Sequence, residues 1–209
     1  MIKLHGRHSH ASAPEEGLNP ASAVAKIALY SQNLLQEMQG ELARKALEDG
    51  SDGVEMILCT IVGMKVGTGD FGISAGEGEI RLTLRAEDES VMKRMEERLR
   101  RYAQSLAEKE GLRFECAISD YFPETRNHDS ALQKVYKCAQ NRGFEICEMQ
   151  DLWRASEDFG YYLKKCEGAM FYIGNGESYP ALHTAEYDFN DRILDTAVDM
   201  FVSLAASEL

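Results

Sequence analysis

The segment 79–85 constrains the fold more than any other part of the chain. Ile80, Leu82 and Leu84 alternate there with Glu79, Arg81, Thr83 and Arg85. A period of two sends the apolar side chains to one face and the charged ones to the other, the pattern of a strand with one buried face. Such a strand needs neighbours to pair with and a layer to cover its apolar side.

The flanking sequence supplies both. Residues 19–38 predict a helix: Asn19 can cap, Pro20 suits a first helical position, and Val24, Ile27, Ala28, Leu35 and Met38 share a face. A polar, glycine-containing stretch at 49–53 ends it, and the β-branched, apolar run 54–66 reads as a strand. A turn-rich connection at 67–72 leads to the alternating segment. Residues 88–110 then predict a long amphipathic helix with a stripe of Met92, Met95, Leu99, Tyr102 and Leu106, and Gly111 stands where a C-cap glycine belongs. Leu112, Phe114, Cys116 and Ile118 alternate in a further strand, and residues 2–8 add a short one at the start. The order β-α-β-β-α-β is that of a ferredoxin-like α+β sandwich closing near residue 118, with two helices on one face of a four-stranded antiparallel sheet. That architecture hosts many functions and names none.

Residues 119–209 predict a second domain of another kind. Helices are expected at 129–142, 157–165 and 190–207, with short strands at 144–147 and at 169–173, the latter running into Gly174-Asn175-Gly176. Strands alternating with helices suit a partial α/β layer. Two strands are few for an independent sheet, so further strands are expected from elsewhere.

Charge and cysteine content narrow the function classes. Asp and Glu number 35 against 23 Lys and Arg, a formal net charge of −12, which repels polyanions and argues against nucleic acid as partner. No apolar run approaches the roughly 18 residues of a membrane span, and residues 1–6 carry no basic-then-apolar leader pattern, so neither a membrane nor secretion is expected. Five cysteines without C-x-x-C spacing fit reduced thiols in a cytoplasm better than a disulfide framework.

Three stretches hold chemistry-bearing side chains. The run 6–20 sets His8 and His10 among small residues just before a helix, leaving room for a ligand to approach an imidazole; as plain structure it is a polar turn. Ser156, Glu157 and Asp158 precede Phe159; as plain structure they are a capping serine and first-turn acids suited to a helix dipole. Gly174 to Ser178 and then Leu182-His183-Thr184-Ala185-Glu186-Tyr187-Asp188-Phe189 place an imidazole after a strand and loop, where it can bind a divalent metal. One histidine is not a site, since zinc takes about four ligands.

Taken in this order, the three stretches resemble the C-terminal half of the metallopeptidase family that includes aminoacylases, carboxypeptidase G-like enzymes and the amidohydrolases of indole-acetyl amino acids. The run 6–20 resembles the G-x-x-S-H-A-x-x-P segment that opens the family's inserted lid, or dimerisation, domain. Ser156-Glu157-Asp158-Phe159 and Leu182-His183-Thr184 with Glu186, Asp188 and Phe189 resemble its late motifs, and the likeness covers nearly the whole chain. It implies a lid at 1–118 and the end of a catalytic domain at 119–209. It assigns His183 as the last metal ligand and His10 as the lid histidine that holds a tetrahedral oxyanion. Ser156, Glu157 and Asp158 fall on the substrate side.

The same resemblance implies a divalent metal (zinc, or manganese or cobalt), a homodimer through the lid, and an N-acyl amino acid or small peptide as substrate. In such an enzyme metal ions polarise the amide carbonyl and bring a bound water's pKa toward about 7. A glutamate moves protons, and the lid histidine stabilises the intermediate. The family's other metal ligands and its general-base glutamate lie upstream of the lid, whereas this chain begins at the lid. Glu15-Glu16 and Glu96-Glu97 are expected to be solvated charges, and segment 71–76 lacks an asparagine found in many relatives. The expectation is therefore an enzyme portion inactive alone and active with its N-terminal half. The alternative is a non-catalytic dimerisation remnant. A third reading, an unrelated ferredoxin-like ligand-binding protein, leaves the order of the three stretches unexplained.

Overall fold

The computed structural model describes residues 1–50, 56–149 and 152–207. The chain divides into two compact units, Met1–Tyr121 and Phe122–Leu209.

The first unit builds its sheet from β1 (Ile2–His5), β3 (Ile57–Val66), β5 (Glu77–Ala86) and β6 (Arg113–Cys116), in the order β3-β5-β1-β6 with antiparallel pairing throughout. This is the ferredoxin-like order. Two helices, α1 (Ala21–Asp49) and α2 (Glu89–Lys109), cover one face. Leu4, Ile27, Leu34, Met38, Ile80 and Met95 form the centre of the core, each no more than 1% exposed. The opposite face carries charge: Lys3 meets Glu79 at 3.7 Å, and His5 lies between Glu77 at 2.5 Å and Glu115 at 3.3 Å. The neighbouring His5 ring is the leading cause that holds the Glu115 carboxyl below its ordinary pKa.

Helix α1 runs eleven residues past the predicted end, to Asp49. Residues 39–49 are nearly all good helix formers, Leu42 is buried, and Glu37 and Glu41 both reach Arg98 on α2, at 2.7 and 3.0 Å. Gly50 closes the helix in the left-handed conformation at φ 72°. The rest of the predicted polar stretch, and the first residues of the predicted strand 54–66, lie outside the described residues. Helix α2 starts under Asp88, whose carboxylate accepts from the backbone N–H of Ser90 at 2.7 Å and of Val91 at 3.2 Å. Its buried line is Val91, Met95, Leu99, Ala103 and Ala107, so the alanines take the closest contact. Met92, Tyr102 and Leu106 flank it half-buried.

Strand β3 is an edge strand with an irregularity. Ile61 pairs with Leu82 and Gly63 with Arg81, so Val62 is inserted as a bulge. The turn-rich connection 67–72 leads into a short strand that the sequence does not predict. Strand β4 (Ile73–Ser74) pairs with β2 (Ser9–His10) in a separate two-stranded ribbon.

The second unit contains helices α3 (Asp129–Asn141), α4 (Phe159–Leu163) and α5 (Leu194–Ala206), with a 3-10 turn at Asp191–Ile193. Segments 144–147 and 169–173, expected as strands, do not form them: neither joins a ladder among the described residues. Segment 169–173 is instead strapped to side chains. Asn127 Nδ2 donates to the Met170 carbonyl at 2.9 Å, and the Met170 N–H donates to Asn127 Oδ1 at 2.7 Å, copying a strand pair with one amide group. The His128 N–H donates to the Gly168 carbonyl at 3.0 Å, and the Gly168 N–H donates to His128 Nδ1 at 3.2 Å. Few side chains of this unit are deeply buried, and Trp153, Tyr162, Val198 and Phe201 are each 48–62% exposed.

Candidate active site

His10 sits on the ribbon, opposite Ile73, with its flanks fixed on both sides. Arg7 and Leu18 exchange backbone hydrogen bonds at 3.0 and 2.8 Å, closing residues 7–18 into a loop. Arg7 Nε also donates to the Glu16 carbonyl at 2.9 Å. Asn19 spans the loop base: Oδ1 accepts from the Ala21 N–H at 2.9 Å, and Nδ2 donates to Ser74 Oγ at 3.1 Å. The Ala11 N–H donates to the Gly72 carbonyl at 2.9 Å, so the hairpin tip and the histidine loop hold each other. Gly6 has a packing reason for its size: a Cβ there would come 1.9 Å from the Leu18 carbonyl oxygen. Its smallness serves backbone approach, not ligand access. The His10 imidazole itself is exposed, and Nδ1 lies 2.7 Å from Ser12 Oγ and accepts from the Ser12 N–H at 3.2 Å.

Ser156, Glu157 and Asp158 lead into α4. Glu157 carries local structure: Oε1 accepts from the Thr125 hydroxyl at 2.7 Å and Oε2 from the Phe159 N–H at 2.7 Å. It thus ties the start of α4 to segment 123–125. Gly160 lets the helix approach that segment, since a Cβ would meet the Glu124 carbonyl at 2.7 Å. Ser156 and Asp158 are exposed. Tyr172, whose ring lies 5.4 Å from that of Trp153, has its hydroxyl pKa raised by burial first and by the Glu157 charge second.

His183 is exposed and held at φ 65°, in the left-handed region. That conformation costs roughly 1–2 kcal/mol for a residue with a Cβ, and such outliers concentrate at functional sites. The surrounding loop enforces it. The Thr184 N–H and hydroxyl both donate to the Ala181 carbonyl, at 3.3 and 2.8 Å, and the Tyr179 hydroxyl donates to the Asp188 carbonyl at 2.8 Å. None of the hydrogen bonds among the described residues uses the His183 imidazole.

Among the described residues, no three or more His, Cys, Asp or Glu side chains gather as a metal-binding group. His183 is thus a single donor, and the residues present do not by themselves fit a metal cage. Glu96 and Glu97 face Arg100 and Arg101 one helical turn on, as surface ion pairs. All five cysteines are free thiols, and no helix among the described residues is long and apolar enough to cross a membrane.

No protein-family model matches the chain. Hippurate hydrolase of Campylobacter jejuni is 26% identical over 212 residues, covering 100% of this chain and 51% of that protein. Thermostable carboxypeptidase 1 of Saccharolobus solfataricus is 27% identical over 92% of this chain and 47% of its own length. N-acetyldiaminopimelate deacetylase of Bacillus licheniformis is 26% identical over 100% and 52%. The chain is a relative of these amidohydrolases and peptidases. A solved dinuclear metal-binding peptidase of the M20 family from Bacillus subtilis shares the fold at a TM-score of 0.67 and 19% identity, over 98% of this chain and 48% of that one. The aminopeptidase PepT of Bacillus cereus does so at 0.64 and 15%, over 97% and 49%.

The chain thus spans about half the length of the curated amidohydrolases and peptidases it matches. Sequence reasoning passed over Asn127 and His128, which anchor the segment leading toward the His183 loop. Their only local signal is a polar pair ahead of a helix, which reads as a cap; their partners stand some forty residues on. Ser12 also went unremarked, because a contact two residues away leaves no periodic trace.

Proposed function

We propose that this chain is the lid and the C-terminal catalytic segment of a metal-dependent amidohydrolase that cleaves the amide bond of an N-acyl amino acid or small peptide. The observation that carries the reading is His183: an exposed imidazole, held in a left-handed backbone conformation by its loop, with no hydrogen bond among the described residues. In this reading His183 is one ligand of a divalent metal, zinc first and manganese or cobalt after it. The remaining ligands and the general-base glutamate come from a polypeptide matching the other half of the relatives' length. His10 donates a hydrogen bond to the tetrahedral oxyanion, where charge develops. Ser156, Glu157 and Asp158 lie on the substrate side, and Glu157 also holds their segment in place. The first unit pairs two copies into a homodimer through the β3 edge, where Val62, Met64 and Val66 are 37–61% exposed.

The test is complementation. The chain alone is expected to show no stoichiometric metal and no turnover of N-acetyl, N-benzoyl or dipeptide substrates. Adding the corresponding half of a relative should produce both, and His183→Ala should remove them. Complemented turnover unaffected by His183→Ala would sink the reading. A second reading, a non-catalytic dimerisation module, is favoured by the self-contained core of the first unit. It predicts a dimer mass with no activity under any complementation.

A further inference from the structure

We infer that Ser12 is a positioning residue that fixes the tautomer of His10, so that the ring presents an N–H at Nε2. The inference rests on the role proposed for His10 and adds what sets its polarity. An imidazole can stabilise an oxyanion only through a nitrogen that carries a proton, and a neutral ring has one such nitrogen. Which nitrogen it is follows from what the other one does.

Here the other one is committed. The Ser12 backbone N–H points at His10 Nδ1 with a donor–acceptor distance of 3.2 Å. A nitrogen that accepts from an N–H presents its lone pair and carries no proton. The Ser12 hydroxyl lies 2.7 Å from the same nitrogen. With Nδ1 already accepting, that hydroxyl acts as a second donor. The backbone N–H can only donate and so selects the tautomer; the hydroxyl, able to donate or accept, follows it. The proton of the neutral ring is therefore on Nε2, the atom farther from the backbone. The Ser12 backbone is itself placed, because the Ala11 N–H donates to Gly72 and the Ala13 N–H donates to the His10 carbonyl, each at 2.9 Å. The ribbon holds the histidine, the turn holds Ser12, and Ser12 holds the ring's proton. A donor oriented before substrate arrives needs no reorganisation during reaction.

Nitrogen-15 NMR of the imidazoles in the labelled full chain, at a pH where histidine is neutral, reads this directly and needs neither metal nor substrate. His10 is expected almost wholly as the Nε2–H form, well beyond the ratio of an unstructured histidine peptide. Ser12→Pro, which removes the backbone donor, should bring the tautomer ratio down toward the peptide's value, whereas Ser12→Ala, which removes a hydroxyl able to pair with either tautomer, should change it by less than about two-fold. A wild-type ratio equal to the peptide's, or one indifferent to Ser12→Pro, overturns the inference. The complemented enzyme separates it from the reading beneath it. A fixed tautomer together with a fall in kcat at unchanged KM in Ser12→Pro supports both. A fixed tautomer with turnover indifferent to His10→Ala leaves the positioning role of Ser12 standing and removes the catalytic role of His10.

Discussion

Replacing Asn127 by alanine should loosen the strand-like segment 169–173 while leaving the first unit intact. The Asn127 side chain makes two part-buried hydrogen bonds to the backbone of Met170, at 2.7 and 2.9 Å. Each such bond contributes about 1 kcal/mol net, so Asn127→Ala should cost about 2 kcal/mol locally. Asn127→Asp keeps the acceptor for the Met170 N–H but sets an oxygen against the Met170 carbonyl, and should cost at least as much. Hydrogen exchange by mass spectrometry, read on peptides covering 168–173, gives the magnitude. About 2 kcal/mol corresponds to roughly thirty-fold faster exchange where opening is local. Peptides from β1, β5 and α2 should not change. Exchange in 168–173 altered by less than about two-fold would refute the claim that one side-chain amide stands in for a neighbouring strand.

Three further outcomes follow from the packing and the charges. Met95→Ala removes a fully buried side chain between α2 and the sheet, so the first unit should lose about 2–5 kcal/mol in denaturant unfolding. Glu115 has its pKa lowered, first by the neighbouring His5 ring. A lowered carboxylate pKa stabilises the fold above the unfolded value and loses that contribution as pH falls. The urea midpoint of the first unit should therefore drop as pH falls below the ordinary value of 4.5, and drop less steeply in His5→Gln. His183→Gly relieves the left-handed backbone and should raise thermal stability by about 0.5–1 kcal/mol, while abolishing activity in the complemented enzyme.

How much of this was legible in the sequence depends on what kind of contact made each element. The sandwich was legible because its signals are periodic. Glu79 to Arg85 alternates, the α2 stripe repeats at helical spacing, and Asp88 and Gly111 mark the ends. The expected end of α1 at Met38 falls short because the helix past it is held by Arg98 through Glu41, 57 residues away in sequence. The β2–β4 ribbon is two residues per strand, too short for any period to show. Among the described residues of the second unit the expected strands do not pair, because pairing is not a local property. Segment 169–173 has a strand's composition, but Asn127 and His128 are what meet it. His10 and His183 were singled out by residue type and order, and both imidazoles lie exposed. Glu157, expected on the substrate side, also accepts from the Thr125 hydroxyl and the Phe159 N–H, contacts that residue order alone does not show.

The inserted Val62 bears on how the first unit chooses company. On one side of it β3 runs regularly from Ile57 to Ile61, and on the other from Gly63 to Val66. A stray extended peptide laid along this rim finds at most five residues of straight ladder before the backbone kinks. Only a visitor with a matching break can zip along the full strand. The kink therefore works as a lock on an otherwise adhesive border, screening out promiscuous aggregation without closing the border to a shaped counterpart.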